Sequence, residues 1–194
     1  EIQDLLRASH ELNCSARYLG GAFNFDRNAA SDFISPELAA RIVWFDALVS
    51  NPDRTHRNPN LMIWERKPYL IDHGAALYAQ HDWPSVDEAR TRSPFQLIKD
   101  HVLLRDSGEI EAADAELSPL MTEAAIRAAV GAVPDSLLET PAMRSDFATP
   151  AQARDRYADY ITMRASSPRA FVTEAASARE RAIRVPGRRI FSRR

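Results

Sequence analysis

Proline at position 52 constrains this chain more than any other residue. It follows a run, ELAARIVWFDALVS (residues 37–50), in which Leu38, Ile42, Phe45 and Val49 recur at helical spacing. Proline has no amide hydrogen to give to the preceding turn and forces the residue before it out of the helical region, so the helix must stop at Asn51-Pro52-Asp53. Its start is equally legible. Ser35 offers a capping hydroxyl, Pro36 sits at the first helical position where a missing N–H costs nothing, and Glu37 faces the positive end of the dipole. The next residues, DRTHRNPN, therefore form an irregular loop. It leads into LMIWE and PYLID, two short β-rich runs separated by Arg66-Lys67, the pattern of a tight hairpin. Asp72 ends the second strand, and Gly74 is expected to permit a sharp change of direction after it.

Elsewhere the chain reads as helical with interruptions. Residues 1–13 place Ile2, Leu5, Leu6 and Leu12 on a rough common face, and Gly20-Gly21 closes the segment after them. Beyond the hairpin come SPFQLIKDHVLL, then TEAAIRAAVGAV stopped by Pro134, then TPAQARDRYADYITMRA and SSPRAFVTEAASARERAI. Thr149-Pro150 and Ser167-Pro168 repeat the cap-plus-proline start of Ser35-Pro36. The acidic run DSGEIEAADAE reads as a solvated loop and helix start. No internal repeat is present at a fixed period. The expected fold class is mainly α with one short β-hairpin. A length of 194 residues suits a single domain, placed at 1–183, with a basic, flexible tail at 184–194.

Charge and composition narrow the function classes. The net charge of −2 becomes −7 for residues 1–183 once the five tail arginines are set aside, so the folded body is not expected to bind nucleic acid. Lys67 and Lys99 are the only lysines, which leaves arginine as the main phosphate-binding cation and fits a GC-rich bacterial coding sequence. A single cysteine, Cys14, excludes an intrachain disulfide and a thiolate zinc site and points to a reducing, cytoplasmic setting. No apolar run approaches the roughly 18 residues of a membrane span, and residues 1–10 lack the pattern of an export signal. The first residue is Glu1 rather than Met, so a preceding segment is expected in the natural gene product.

The chemistry-bearing pattern lies in the loop and hairpin. Asp53 and Asn58 share one loop, five residues apart, and Asp72 stands at the end of the hairpin that leaves it. Mg²⁺ favours hard oxygen ligands, commonly one or two carboxylates completed by phosphate oxygens and water. Kinase sites use a loop Asp to accept the hydroxyl proton, an Asn five residues on to hold metal, and a third acid at a hairpin end to bridge metal and phosphates. Taken singly, Asp53 is a turn-capping acid, Asn58 and Asn60 are loop amides, and Asp72 is a strand-end acid. Jointly, helix, D-x-x-x-x-N loop, hairpin and D-x-G fit phosphoryl transfer.

The stretch IVWFDALVSNPDRTHRNPNLMIWERKPYLIDHGAALY resembles the HipA-like bacterial kinases, which share this loop and hairpin with the phosphatidylinositol kinase-like branch. The resemblance is strongest over residues 38–78 and rests on the N-x-D-R and N-P-N elements. It departs from HipA itself at Thr55, where that protein has histidine; histidine stands here at His56. It implies a kinase-like C-lobe that uses ATP and Mg²⁺ to phosphorylate a protein Ser or Thr hydroxyl. Asp53 would be the catalytic base and Asn58 and Asp72 the metal ligands. Gly74 and Arg54 would complete the cofactor site, with Arg54 or Arg57 facing the transferred phosphate or a substrate acid. Neither a phosphate-anchoring lysine nor a Gly-rich cover precedes Asp53, so the N-lobe is expected to be missing, removed from the same polypeptide or supplied by a separate one.

Two other readings compete. A kinase-like domain could bind nucleotide or protein without catalysis, and His56, His73 and His81 could join the acids in a metal-dependent hydrolase. Against the hydrolase, no HxH or HxxxH spacing occurs on one element. Trp44, Phe45 and Trp64 fit core packing better than base stacking, Phe45 because it lies on the apolar stripe of its helix.

Overall fold

A computed structural model describes residues 18–26, 31–139 and 141–184. The helix expected at 1–13, Cys14, and all of the basic tail beyond Arg184 lie outside these residues. The fold is mainly helical with one small antiparallel sheet. In chain order it runs β1 (Phe23–Asn24), α1 (Pro36–Leu48), β2 (Leu61–Trp64), β3 (Lys67–Leu70), α2 (Glu88–Thr91) and α3 (Ile110–Leu117). It continues through α4 (Glu123–Gly131), α5 (Asp135–Leu138), α6 (Pro141–Asp146), α7 (Pro150–Ala165) and α8 (Ala170–Arg184).

Helix α1 is the centre of the molecule. Ser35 Oγ accepts from the Leu38 amide at 3.2 Å, and the same hydroxyl helps to hold the Glu37 carboxyl below its ordinary range. Ala39, Ala40, Ile42, Val43, Trp44, Ala47 and Leu48 are all buried, so the helix is enclosed on most sides rather than along a single stripe. Phe45 is the exception to the expected pattern. It is 38% exposed and meets His73 edge-on, with ring centroids 6.0 Å apart, while its neighbour Trp44 enters the core at 1% exposure. Apolar spacing misplaces the stripe because the helix is covered from several directions. Trp44 packs edge-on against Phe171 of α8 and donates its Nε1–H to Asp114 Oδ1 at 2.8 Å. Asp114 also receives Arg169 on both oxygens, at 2.8 and 2.7 Å. The acidic run is thus not wholly solvated: one of its acids joins α1, α3 and the start of α8.

The sheet has the order β1-β2-β3, with Phe23 opposite Ile63 and Met62 opposite Tyr69. Alternation sends Leu61 and Ile63 into the core and leaves Met62 and Trp64 half-covered on the other face. The hairpin turn falls at Glu65-Arg66, one residue before the expected Arg66-Lys67. Both residues have positive φ, 48° and 63°, the conformation whose twist matches that of a two-residue hairpin.

Two further expectations are revised. The segment 93–104 is not a continuous helix but short 3-10 turns at Gln96–Asp100 and Leu104–Asp106. Between them His101 forms a β-bridge with Thr55, and the Val102 amide donates to the Arg54 carbonyl at 3.0 Å. Pairing with the 51–60 loop consumes the backbone groups a helix would need. Ser167-Pro168 does not cap α8 either; that peptide is cis and the helix begins at Ala170. Thr149 does cap α7, accepting from the Gln152 amide at 3.3 Å.

Candidate active site

The loop at 50–60 is anchored before it reaches any candidate residue. At the end of α1 the Asn51 amide donates to Asp46 O at 2.9 Å and the Ser50 amide to Ala47 O at 3.4 Å. Ser50 takes the left-handed conformation, φ 53°, that closes a helix in this way. Asn51 then works in both directions: its Nδ2 donates to Asp46 Oδ1 at 3.0 Å, and its Oδ1 accepts the Asp53 amide at 3.2 Å. The proline that ends the helix thereby delivers Asp53 to a position held from below.

Beneath the loop lies a buried polar cluster. Asp46 is fully buried, and its Oδ2 accepts from Arg54 Nε at 2.6 Å and from His101 Nε2 at 3.0 Å. His101 Nδ1 accepts the Leu103 amide at 3.1 Å, which fixes the Nε2–H tautomer of a neutral ring. Burial pushes the His101 pKa down, against the pull of Asp46. Burial pushes Asp46 up, but its bonds from His101 and Arg54 outweigh this and leave it below the ordinary carboxylate range.

Arg54 does not face the open site. It is 1% exposed; besides Asp46 it binds the Asn60 carbonyl through Nη1 and meets His73 Nε2 through Nη2 at 2.9 Å. Expected as a cofactor-binding group, it is instead the strut between α1, the loop and the hairpin end, because Asp46 offers a buried charge that only an adjacent cation compensates. Arg57 is the exposed arginine of the pair, beside Thr55, His56 and Asp100 around a recess of about 400 Å³.

Above this cluster the predicted residues converge. Asp53 Oδ2 accepts from Asn58 Nδ2 at 2.8 Å and from Asn60 Nδ2 at 3.0 Å. Asn60 Nδ2 also lies 3.5 Å from the Asp72 carbonyl, and the Asn60 carbonyl accepts the Ile71 amide at 3.0 Å. Asn60 therefore joins the loop to the end of β3. Both ends of this clasp are left-handed, with φ 45° at Asn60 and 51° at Asp72. The sharp turn expected of Gly74 is made by Asp72 instead. Gly74 has a different role: its amide donates to Asp72 Oδ1 at 3.3 Å, and a Cβ there would meet that same oxygen at 3.3 Å.

Asp53, Asn58, Asp72 and Gly74 are thus joined through Asn60 on the open side, and Arg54 lies buried beneath them. Asp46, Asn51, Asn60 and His101 complete the arrangement, although the sequence pattern assigns them no site role. Asp46 carries a signal, an acid on an otherwise apolar helix; His101 carries none, since its partners lie far away in sequence. The donors left for a cation are hard: the carbonyl oxygen of Asn58, whose amide nitrogen is engaged by Asp53, and the exposed Asp72 carboxylate. Two such oxygens suit Mg²⁺, which completes its shell with phosphate and water. Among the described residues no three His, Cys, Asp or Glu side chains gather as a metal ligand set. His73 pairs with Arg54 and His81 with the Tyr78 ring, 5.0 Å between centroids, so these two histidines of the hydrolase reading point to different partners.

The neutral state of His101 has a consequence for stability. In the unfolded chain a histidine protonates below about pH 6.5, whereas the buried ring, facing Asp46, Arg54 and His56, protonates only at lower pH. The unfolded state therefore binds the proton first, and stability falls with pH by about 1.4 kcal/mol per unit between about pH 6.5 and the folded pKa. His73 is shifted in the same direction by burial and by Arg54. Urea unfolding of wild type and His101→Gln at stepped pH checks this: the wild type loses stability from about pH 6.5 to about pH 5, and the amide variant does so with a shallower slope. Equal slopes would assign the acid sensitivity to other groups.

Comparison with protein-family models, with curated proteins and with solved structures returns no match for this chain.

Proposed function

We propose that this chain is the catalytic and metal-binding lobe of a HipA-like kinase, transferring phosphate from Mg-ATP to a protein Ser or Thr hydroxyl. The observation that carries the reading is the double hydrogen bond to one oxygen of Asp53. Asn58 and Asn60 both donate to Oδ2, which fixes the carboxylate and leaves Oδ1 for an incoming hydroxyl. Asp53 would orient the acceptor and take its proton as the new O–P bond forms and the bond between the β- and γ-phosphates breaks. Asn58 and Asp72 would hold Mg²⁺, which when bound neutralises charge on the β- and γ-phosphates. Asn60 keeps these two donors in register by tying the Asp53 loop to the Asp72 backbone. The adenine side of the cleft would require an N-lobe, in cis or in trans.

Calorimetric titration of the full-length protein with Mg-ATP tests this directly. Wild type is expected to bind, and Asp72→Asn to weaken binding by at least about tenfold, the loss of one carboxylate ligand. A full-length protein that binds no Mg-ATP would overturn the assignment. Equal binding by wild type and Asp72→Asn would move the metal site away from the hairpin end.

A further inference from the structure

A groove of about 420 Å³ opens beside the catalytic loop and plays no part in the arrangement described so far. Pro52, the residue before Asp53, forms part of its wall, whereas Asp53, Asn58, Asn60 and Asp72 do not. The mouth carries Tyr78 and Leu97, apolar side chains 62% and 51% exposed, and Phe95 lies deeper. Large apolar residues left open at the mouth of a groove are a mark of a docking surface.

Its charge is as informative as its shape. Two guanidinium groups, Arg90 and Arg164, line the groove and no carboxylate does. Arg90 is steadied at the rim by Asp82 at 3.2 Å and by Ser85. Arg164 is buried, lies over the Phe171 ring at 5.3 Å and donates to four backbone carbonyls: Leu48 at 2.6 Å and Ala47 at 3.0 Å at the end of α1, and Thr91 at 2.8 Å and Ser93 at 3.0 Å at and just after the end of α2. It has no carboxylate partner among the described residues. In a body whose residues 1–183 carry −7, this is a local basic pocket with apolar lips.

We infer that this groove is the acceptor site, taking an extended segment of a partner protein in which the Ser or Thr is flanked by an apolar and an acidic residue. The inference rests on the kinase reading for the fate of the hydroxyl, but not for binding. The apolar side chain would fill the space between Tyr78 and Leu97, and the acid would lie toward Arg90, the exposed guanidinium of the two. That places the hydroxyl beside Pro52, the residue that precedes Asp53 in the chain.

The test uses short fluorescent Ser-centred peptides in two forms, apolar-acidic and apolar-basic, titrated by anisotropy into the full-length protein and then offered with Mg-ATP as substrates. The acidic form is expected to bind about fivefold more tightly, the effect of one partly exposed ion pair. Arg90→Glu should reverse that preference, and Leu97→Glu, at an exposed position that folding does not require, should weaken the acidic form by a similar factor. Selective binding with no phosphate transfer would keep the groove and sink the catalytic reading. Transfer that neither variant alters would keep the kinase and overturn the groove. Equal binding of both peptides, no binding at all, or a second copy of the chain seated there instead would also overturn it.

Discussion

If Asp53 is the base of the proposed transfer, Asp53→Asn is expected to lower the rate by about two to four orders of magnitude, the usual contribution of a positioned general base. The substitution is nearly isosteric, and its geometry favours survival of the fold. Asn58 and Asn60 donate to the same oxygen of Asp53, so an amide that places its carbonyl there keeps both bonds. The backbone bond from position 53 to Asn51 Oδ1 does not involve the side chain. Urea midpoint and Mg-ATP affinity should therefore stay close to wild type while turnover is lost. Single-turnover transfer and calorimetry on the same preparation separate these quantities. Transfer at the wild-type rate would remove Asp53 as the base and leave a nucleotide-binding module, and a variant that failed to fold would mark the residue as structural.

Arg54→Met destabilises the protein by about 3–5 kcal/mol, a large share of the roughly 5–15 kcal/mol that holds a domain of this size together. The loss comes from the partner left behind. Asp46 is fully buried, and without Arg54 its carboxylate retains only Asn51 and a neutral His101. The double variant Asp46→Leu with Arg54→Met should recover part of the loss, because removing both charges removes the desolvation that the pair must offset. Urea unfolding of the wild type, the single and the double variants measures the coupling. Arg54→Met with unchanged stability and lost ATP affinity would restore this residue to the phosphate site that its sequence position suggests.

The contrast between Arg54 and its neighbours shows how far a sequence carries. The placement of Asp53, Asn58 and Asp72 is legible because it is tied to local order: a proline-stopped helix, a fixed loop spacing, a hairpin of known length. Arg54 is not, because its direction depends on Asp46, eight residues back on the helix face, and on His73 beyond the hairpin. The same limit explains the segment at 93–104, whose apolar spacing suits a helix until the bridge between Thr55 and His101 claims its backbone. Phe45 illustrates the reverse case. A helix packed on most of its circumference offers no single stripe to read, and periodicity picks a residue that the fold leaves outside. The mainly helical class with a short hairpin is legible because it sums over many residues. The third strand, Phe23–Asn24, is too short to leave a pattern of its own.

The two left-handed residues at the base of the hairpin set backbone strain against the side chains that the proposed site uses. That conformation costs a residue with a Cβ roughly 1–2 kcal/mol, least for Asn and Asp, and costs glycine almost nothing. Glycine at position 60 or 72 would thus relax the backbone at no steric expense. It would also erase the amide that clasps Asp53 or the carboxylate assigned to the metal. Backbone ease and the proposed site therefore favour different residues at these two positions, and the chain holds Asn at the first and Asp at the second.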